Sequence, residues 1–272
     1  MYTPEEYDIV LNKLRLFFRE AKGYIEVDGQ KDLSILSACE NPHSLVKFDF
    51  AGSSYSQPQT SQMRLEHYLL NNPDWKGCYS VTTSYRDEKE EDMIEGRHLR
   101  AFTMFEVESH NGYDQLLKTL EELLGFLGFE KPKHLEYQEM ANLFETPTIE
   151  AGHEMAINKI NKVAFLKNFN KESNPFFNMK QDGDFYKKCD VLLDPVGETI
   201  GCAERSTDVE EMKYNFLNQS NGDYALTLFK KFGKSRVLAE LDEYLDNDFF
   251  PRWGFGLGMM RLISAMKHQG LL

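Results

Sequence analysis

Cys78-Tyr79-Ser80-Val81-Thr82-Thr83-Ser84-Tyr85-Arg86-Asp87-Glu88 carries the fold assignment. Cys78 to Tyr85 is dense in β-branched and aromatic residues, which favour an extended, half-buried chain. A charged loop, 87–97, follows, and Phe102 to Glu108 then alternates in character. Side chains alternate along a strand, so Phe102, Met104, Glu106 and Glu108 would share one face. Thr103, Phe105 and Val107 would share the other. The two stretches predict a long antiparallel hairpin.

Elements on both sides extend this hairpin. Thr3-Pro4-Glu5-Glu6 has the cap, the early proline and the acid of a capping box, and the apolar spacing predicts a helix over 4–21. Gly23 ends it, and Tyr24 to Val27 reads as a short strand. A strand between loops is predicted within 45–50 and a helix over 62–70. Tyr113 to Leu127 has the leucine stripe of an amphipathic helix. Residues 131–185 show no clean period and fit an insertion, a lid or more core. Val191 to Leu193 and Thr199 to Cys202 read as strands around a turn at Pro195-Val196-Gly197. Helices are predicted over 209–217, 235–245 and 259–267, the last one preceded by a glycine run. The pattern predicts one α+β domain, an antiparallel sheet flanked by helices.

Composition narrows function. The 272 residues hold 31 Lys and Arg against 44 Asp and Glu, a net charge of −13. Such a polyanion is a poor general binder of nucleic acid. A hydrophobic content of 41% argues against disorder. No run of 18 apolar residues offers a membrane-spanning helix. The start lacks a basic end followed by an apolar block, so a cytoplasmic location is expected. Cys39, Cys78, Cys189 and Cys202 form no C-x-x-C pair, which predicts reduced thiols and no zinc site.

Three constellations hold the candidate chemistry. The first is Tyr85-Arg86-Asp87-Glu88, Arg97-His98, Phe102, Glu106 and Glu108. Arginine makes paired hydrogen bonds to phosphate oxygens, so cations at the strand ends suit a polyphosphate. Phe102 offers a flat face to a base, and Glu88 and Glu106 suit an ammonium group or a metal. The same residues also fit a solvated hairpin with a core Phe. The second is Gly254-x-Gly256-x-Gly258-x-x-Arg261. Glycines before a helix expose N–H groups and admit a ligand closely, and they equally form a plain tight turn. The strand-first βαβ setting of dinucleotide sites is missing. The third is Asp190, Asp194, Glu198 and Glu204-Arg205, with Glu198 in the turn after Pro195. Carboxylates beside a phosphate site suit magnesium, and in isolation they fit acids on surface strands.

In type and order these residues resemble the catalytic core of class II aminoacyl-tRNA synthetases, in the aspartate/asparagine/lysine subclass. Motif 2 of that family is similar to Tyr85-Arg86-Asp87-Glu88, Arg97-His98, Phe102-Thr103 and Glu106. Motif 3 is similar to Gly254-Phe255-Gly256-Leu257-Gly258-Met259-Met260-Arg261. Cys189 to Leu193, Gly197 to Arg205, and Thr60-Ser61-Gln62-Met63-Arg64-Leu65-Glu66 resemble segments of asparaginyl-tRNA synthetases. The resemblance runs in order from about residue 55 to 268.

The resemblance implies that ATP is bent across the sheet. Arg86 would hold its α-phosphate, and Arg97 and His98 its outer phosphates. Phe102 would stack on adenine opposite Arg261, with Gly258 alongside and Glu88 facing the adenine or the substrate amino group. Arg86 and Arg261 would be catalytic. Gln62, Glu88, Glu106 and Arg205 would bind the amino acid, and Glu198 with Asp190 would bind Mg2+. A homodimer is also implied, through a motif 1 made of helix 4–21 and the strand to Val27.

Departures from the family pattern shape the expected function. Gln30 stands where motif 1 would carry proline, and Met260 where motif 3 would carry an acid. Leu65 stands where an aspartate-selecting site would carry lysine, which leaves asparagine open. The layout predicts no anticodon-binding domain. It resembles archaeal-type asparagine synthetases, which pass activated aspartate to ammonia. The loop 87–95 carries six acids against Lys89, which would repel a phosphate backbone. The expectation is an AMP-forming ligase with ammonia or another small or protein acceptor. The alternatives are a minimal tRNA ligase and a catalytically inactive regulatory paralogue.

Overall fold

The computed structural model describes residues 2–29, 41–90, 93, 99–173 and 175–272. Helix α1 (Pro4–Arg15) continues through a π-helical stretch, Leu16–Ala21, to β1 (Ile25–Glu26). The hairpin β2 (Lys47–Phe50) and β3 (Ser53–Ser56) precedes α2 (Gln62–Asn71). Strands β4 (Gly77–Tyr85) and β5 (Ala101–His110) lead to α3 (Tyr113–Leu127). Then come β6 (Lys133–Glu136), α4 (Tyr137–Leu143), α5 (Ala151–Asn158), β7 (Val163–Asn170), β8 (Gln181–Asp182), β9 (Phe185–Leu193) and β10 (Gly197–Arg205). Helices α6 (Val209–Asn218), α7 (Asp223–Phe232) and α8 (Lys234–Leu245) precede β11 (Arg252–Gly258) and α9 (Met259–His268).

The main sheet runs in the order β1-β4-β5-β11-β10-β9-β7-β6, with β8 beside β9. Among the described residues only the β1–β4 and β6–β7 pairs are parallel, so the sheet is mostly antiparallel. The predicted hairpin is β4 and β5, in register from Gly77–Ser109 to Tyr85–Ala101.

The α1 capping box is complete: Glu6 N donates to Thr3 Oγ1 and Thr3 N to Glu6 Oε2. Gly128 ends α3 with a left-handed φ of 97°, a conformation glycine adopts without Cβ strain. Val10, Leu14 and Phe18, the α3 leucines, and Leu262, Ile263 and Met266 of α9 form one large core against one sheet face. Phe105 stacks on Tyr79 there, with ring centroids 5.0 Å apart. Each buried aromatic of this kind contributes roughly 1.5–3 kcal/mol. A second core joins α6, α7 and α8 over the opposite face.

Two expectations change. The glycine run is neither a turn nor a loop: Gly254 to Gly258 lies in β11, hydrogen-bonded between β5 and β10. Glycine's low strand propensity hid it, and pairing on both sides overrides that propensity. Glu198 is likewise within β10, past the turn. Residues 131–185 supply β6 and β7 to the sheet and most of a small core around Tyr137 and Phe169.

Candidate active site

Strand alternation builds a trough on the face away from the large core. Register places Met104, Glu106 and Glu108 of β5 beside Gly258, Gly256 and Gly254 of β11. Gly256 and Gly254 pair onward with Gly201 and Ala203 of β10, and these with Asp190 and Lys188 of β9. The floor is bare because side chains have no room. A Cβ on Gly254 would stand 1.8 Å from Glu108 Oε1, one on Gly256 2.8 Å from Met104 Cε, and one on Gly201 2.9 Å from Glu198 Oε1. Glycine lets a ligand approach the strands closely.

Two adjoining hollows occupy the trough. One is lined by Arg86, Glu88, Phe102, Glu198, Gly258 and Arg261. The Arg86 guanidinium lies 5.4 Å from the Phe102 ring centroid, and Arg86 Nη1 3.8 Å from Glu88 Oε1. Arg261 Nη1 donates to the Glu198 carbonyl oxygen at 2.6 Å and lies 3.6 Å from Glu198 Oε2. Arginines from two distant stretches, an aromatic face and a glycine floor suit a flat base with attached phosphates.

The second hollow is lined by Gln59, Thr60, Gln62, Glu106, Glu108, Lys188 and Arg205, with Arg86 shared. Glu106 accepts from Thr60 Oγ1, from Ser61 N at 2.8 Å and from Thr82 Oγ1 at 2.8 Å. Burial pushes its pKa up in spite of these donors. Arg205 grips Glu108 Oε1 through Nε at 3.1 Å and Nη2 at 2.7 Å. Burial, with Glu66 adding to it, pushes Glu108 up to about 7 against the pull of Arg205. Below the hollow, Arg252 Nη2 meets Glu66 Oε2 at 2.6 Å, with both side chains fully buried. Burial opposes ionisation of Glu66, but Arg252 and Arg205 outweigh it and hold its carboxyl low. Gln62 Nε2 donates to Glu66 Oε1, which ties this lining amide to the buried network.

The carboxylates offer a place for magnesium. Glu198 Oε1 and Asp190 Oδ1 lie 2.9 and 3.7 Å from the same point, where a Gly201 Cβ would stand. Among the described residues no three metal-ligating side chains cluster. Two converging carboxylates fit Mg2+, which takes one or two of them and completes its shell with phosphates and water.

The structure brings together Arg86, Glu88, Phe102, Gly258 and Arg261 at one end, Gln62, Glu106 and Arg205 at the other, and Asp190 and Glu198 between. It separates the rest of the third constellation. Asp194 pairs with His268 at 3.2 Å, near the end of α9. Glu204 points to the opposite face from Arg205 and accepts from Tyr113 N and Lys180 Nζ. Arg97 and His98, like Gln30, lie outside the described residues. Sequence reasoning did not place Lys188, Glu66 or Arg252 at the site. Lys188 shares a strand face with Asp190, and that spacing of two was the available signal.

Comparison with known proteins identifies the family and the fold. Residues 10–270 match the family tRNA synthetases class II (D, K and N). The cytoplasmic asparagine–tRNA ligases of Mus musculus and Homo sapiens are each 24% identical over 91% of the chain. The chain spans about half the length of these relatives, 48% and 49%. Asparaginyl-tRNA synthetase of Pyrococcus horikoshii, complexed with asparaginyl-adenylate, superposes with a TM-score of 0.78 at 19% identity, covering 96% of this chain and 64% of that one. The Entamoeba histolytica enzyme, also with asparaginyl-adenylate, gives 0.76 at 17% identity, covering 97% and 63%. With the match running nearly end to end, the chain belongs to the class II tRNA synthetases of the D, K and N group.

Proposed function

We propose that the protein activates an amino acid of the aspartate or asparagine type as its adenylate, releasing pyrophosphate, and passes it to a small nucleophile such as ammonia. The observation that carries this reading is the single glycine-floored trough with Arg86, Phe102 and Arg261 at one end and Glu106 and Arg205 at the other. A substrate carboxylate oxygen attacks the α-phosphorus. The bond to the bridging oxygen breaks, and pyrophosphate leaves with the electron pair. Two anions meet in that step, so fixed positive charge is the main requirement. Arg86, shared by both hollows, is the group to supply it. Glu106 offers a carboxylate to the substrate ammonium, and Arg205 a guanidinium to its side-chain or α-carboxylate end, whichever is not activated. Mg2+ held by Glu198 and Asp190 would offset phosphate charge. In the second step the nucleophile adds to the acyl carbon, AMP departs and a proton is lost.

Acidity supports a small acceptor over tRNA. The segment after Arg86 reads Asp87, Glu88, Lys89 and Glu90, and the whole chain carries −13. A second reading, ligation to tRNA, is favoured by the names of the relatives. A homodimer is part of the proposal: Ile9, Leu16 and Ile25 are 46%, 52% and 40% exposed on α1, the π-helical stretch and β1. Sedimentation of a monomer at micromolar concentration would remove it.

The decisive experiment is amino-acid-dependent exchange of pyrophosphate into ATP across all twenty amino acids. Exchange with aspartate or asparagine is expected, and no exchange with any of them defeats both readings. AMP formation from aspartate that depends on ammonia separates the first reading from tRNA charging.

A further inference from the structure

Lys188 has no part in the steps above, yet it lines the amino-acid hollow. Its Nζ lies 3.3 Å from Asp190 Oδ2 and 4.1 Å from the Phe169 ring centroid. Both side chains of the ion pair are nearly buried, at 12% and 8% exposure. The other Asp190 oxygen, Oδ1, is the one near Gly201, where Glu198 Oε1 also arrives. Arg261 holds Glu198 from the far side. The trough thus carries a row of charges, Lys188, Asp190, Glu198 and Arg261, with a cation at each end and the two acids adjoining over a bare glycine.

We propose that Lys188 is a positioning residue: it acts as the resident counter-ion of Asp190, so that the two acids take up a divalent cation only together with ATP. The inference rests on the nucleotide reading of the trough. One Asp190 oxygen is committed to the ammonium, which turns the other toward Glu198. The ammonium also offsets the charge that would attract a free metal ion, and this effect is strong where water is sparse. ATP brings further anionic oxygens and reverses the balance, because Mg2+ prefers a site completed by phosphates. Lys188 need not move, since its Nζ lies against Oδ2, while Oδ1 is the oxygen near Gly201.

The test is Mn2+ binding followed by electron paramagnetic resonance, with and without α,β-methylene-ATP. Wild-type protein is expected to bind Mn2+ at least about tenfold more tightly with the analogue present. Lys188→Met should bind Mn2+ without nucleotide about tenfold more tightly than wild type, and Lys188→Arg should match wild type. Equal Mn2+ affinity of the wild type with and without bound analogue overturns the proposal and needs no variant. So does a Lys188→Met protein with a native circular dichroism spectrum and no gain in affinity. Equilibrium dialysis of the analogue keeps the two levels apart. If it does not bind, the nucleotide reading falls and this inference with it. If it binds while Mn2+ affinity stays flat, Lys188 alone loses its role.

Discussion

On one face of β11 stand Trp253, Phe255 and Leu257, all inside the large core. On the other stand Gly254, Gly256 and Gly258, with no side chains at all. Strand β5 divides the same way, with Phe105 and Val107 in the core and Glu106 and Glu108 in the trough. One alternation thus separates two kinds of work. The core face removes apolar area from water and stabilises the fold. The trough face gathers buried charge and missing side chains, which cost stability and leave an open floor.

The sharpest way to break that contrast is a pair of substitutions read by two assays. Trp253→Ala empties a fully buried position and should cost about 3–5 kcal/mol in urea unfolding. Arg86→Ala removes a half-exposed guanidinium from the trough. It should lower pyrophosphate exchange by about a hundred- to a thousandfold, with the unfolding midpoint unchanged. If Arg86→Ala unfolds the protein, or exchanges at the wild-type rate, the two faces do not divide labour as described.

Legibility in the sequence followed the same division. The β4–β5 hairpin and α3 were readable because β-branched runs and a leucine stripe are local signals. Strand β11 was not, because the three glycines of the trough floor erase the propensity that would reveal a strand. Arg86, Glu88, Phe102 and Arg261 could be named because their chemistry goes with short motifs. The Glu66–Arg252 pair could not, since its partners are 186 residues apart and meet only through the fold. Glu66 Oε1 also lies 3.8 Å from Arg205 Nε, and Arg205 in turn donates to Glu108. The short helices α4 and α5 and the second half of the β2–β3 hairpin are set by tertiary packing, not by periodicity.

The smallest expected effect concerns Glu108, where both faces' concerns meet in one residue. It is 1% exposed, and its pKa is pushed from 4.5 up to about 7. Between those values the folded protein holds a proton that the unfolded chain has lost. The stability from this group is therefore whole below about 4.5 and lost as pH rises through about 7. Wild type should lose on the order of 2 kcal/mol relative to Glu108→Gln between pH 5 and 8. Substrate choice should follow the same proton. Protonated Glu108 can donate to a side-chain carboxylate, whereas the ionised form can accept from a carboxamide. The ratio of asparagine-dependent to aspartate-dependent exchange should therefore climb several-fold from about pH 6 to pH 8. In Glu108→Gln the ratio should stay level. A level ratio in the wild type would reduce Glu108 to a structural partner of Arg205, and would move the trough face toward the stabilising role of the core face.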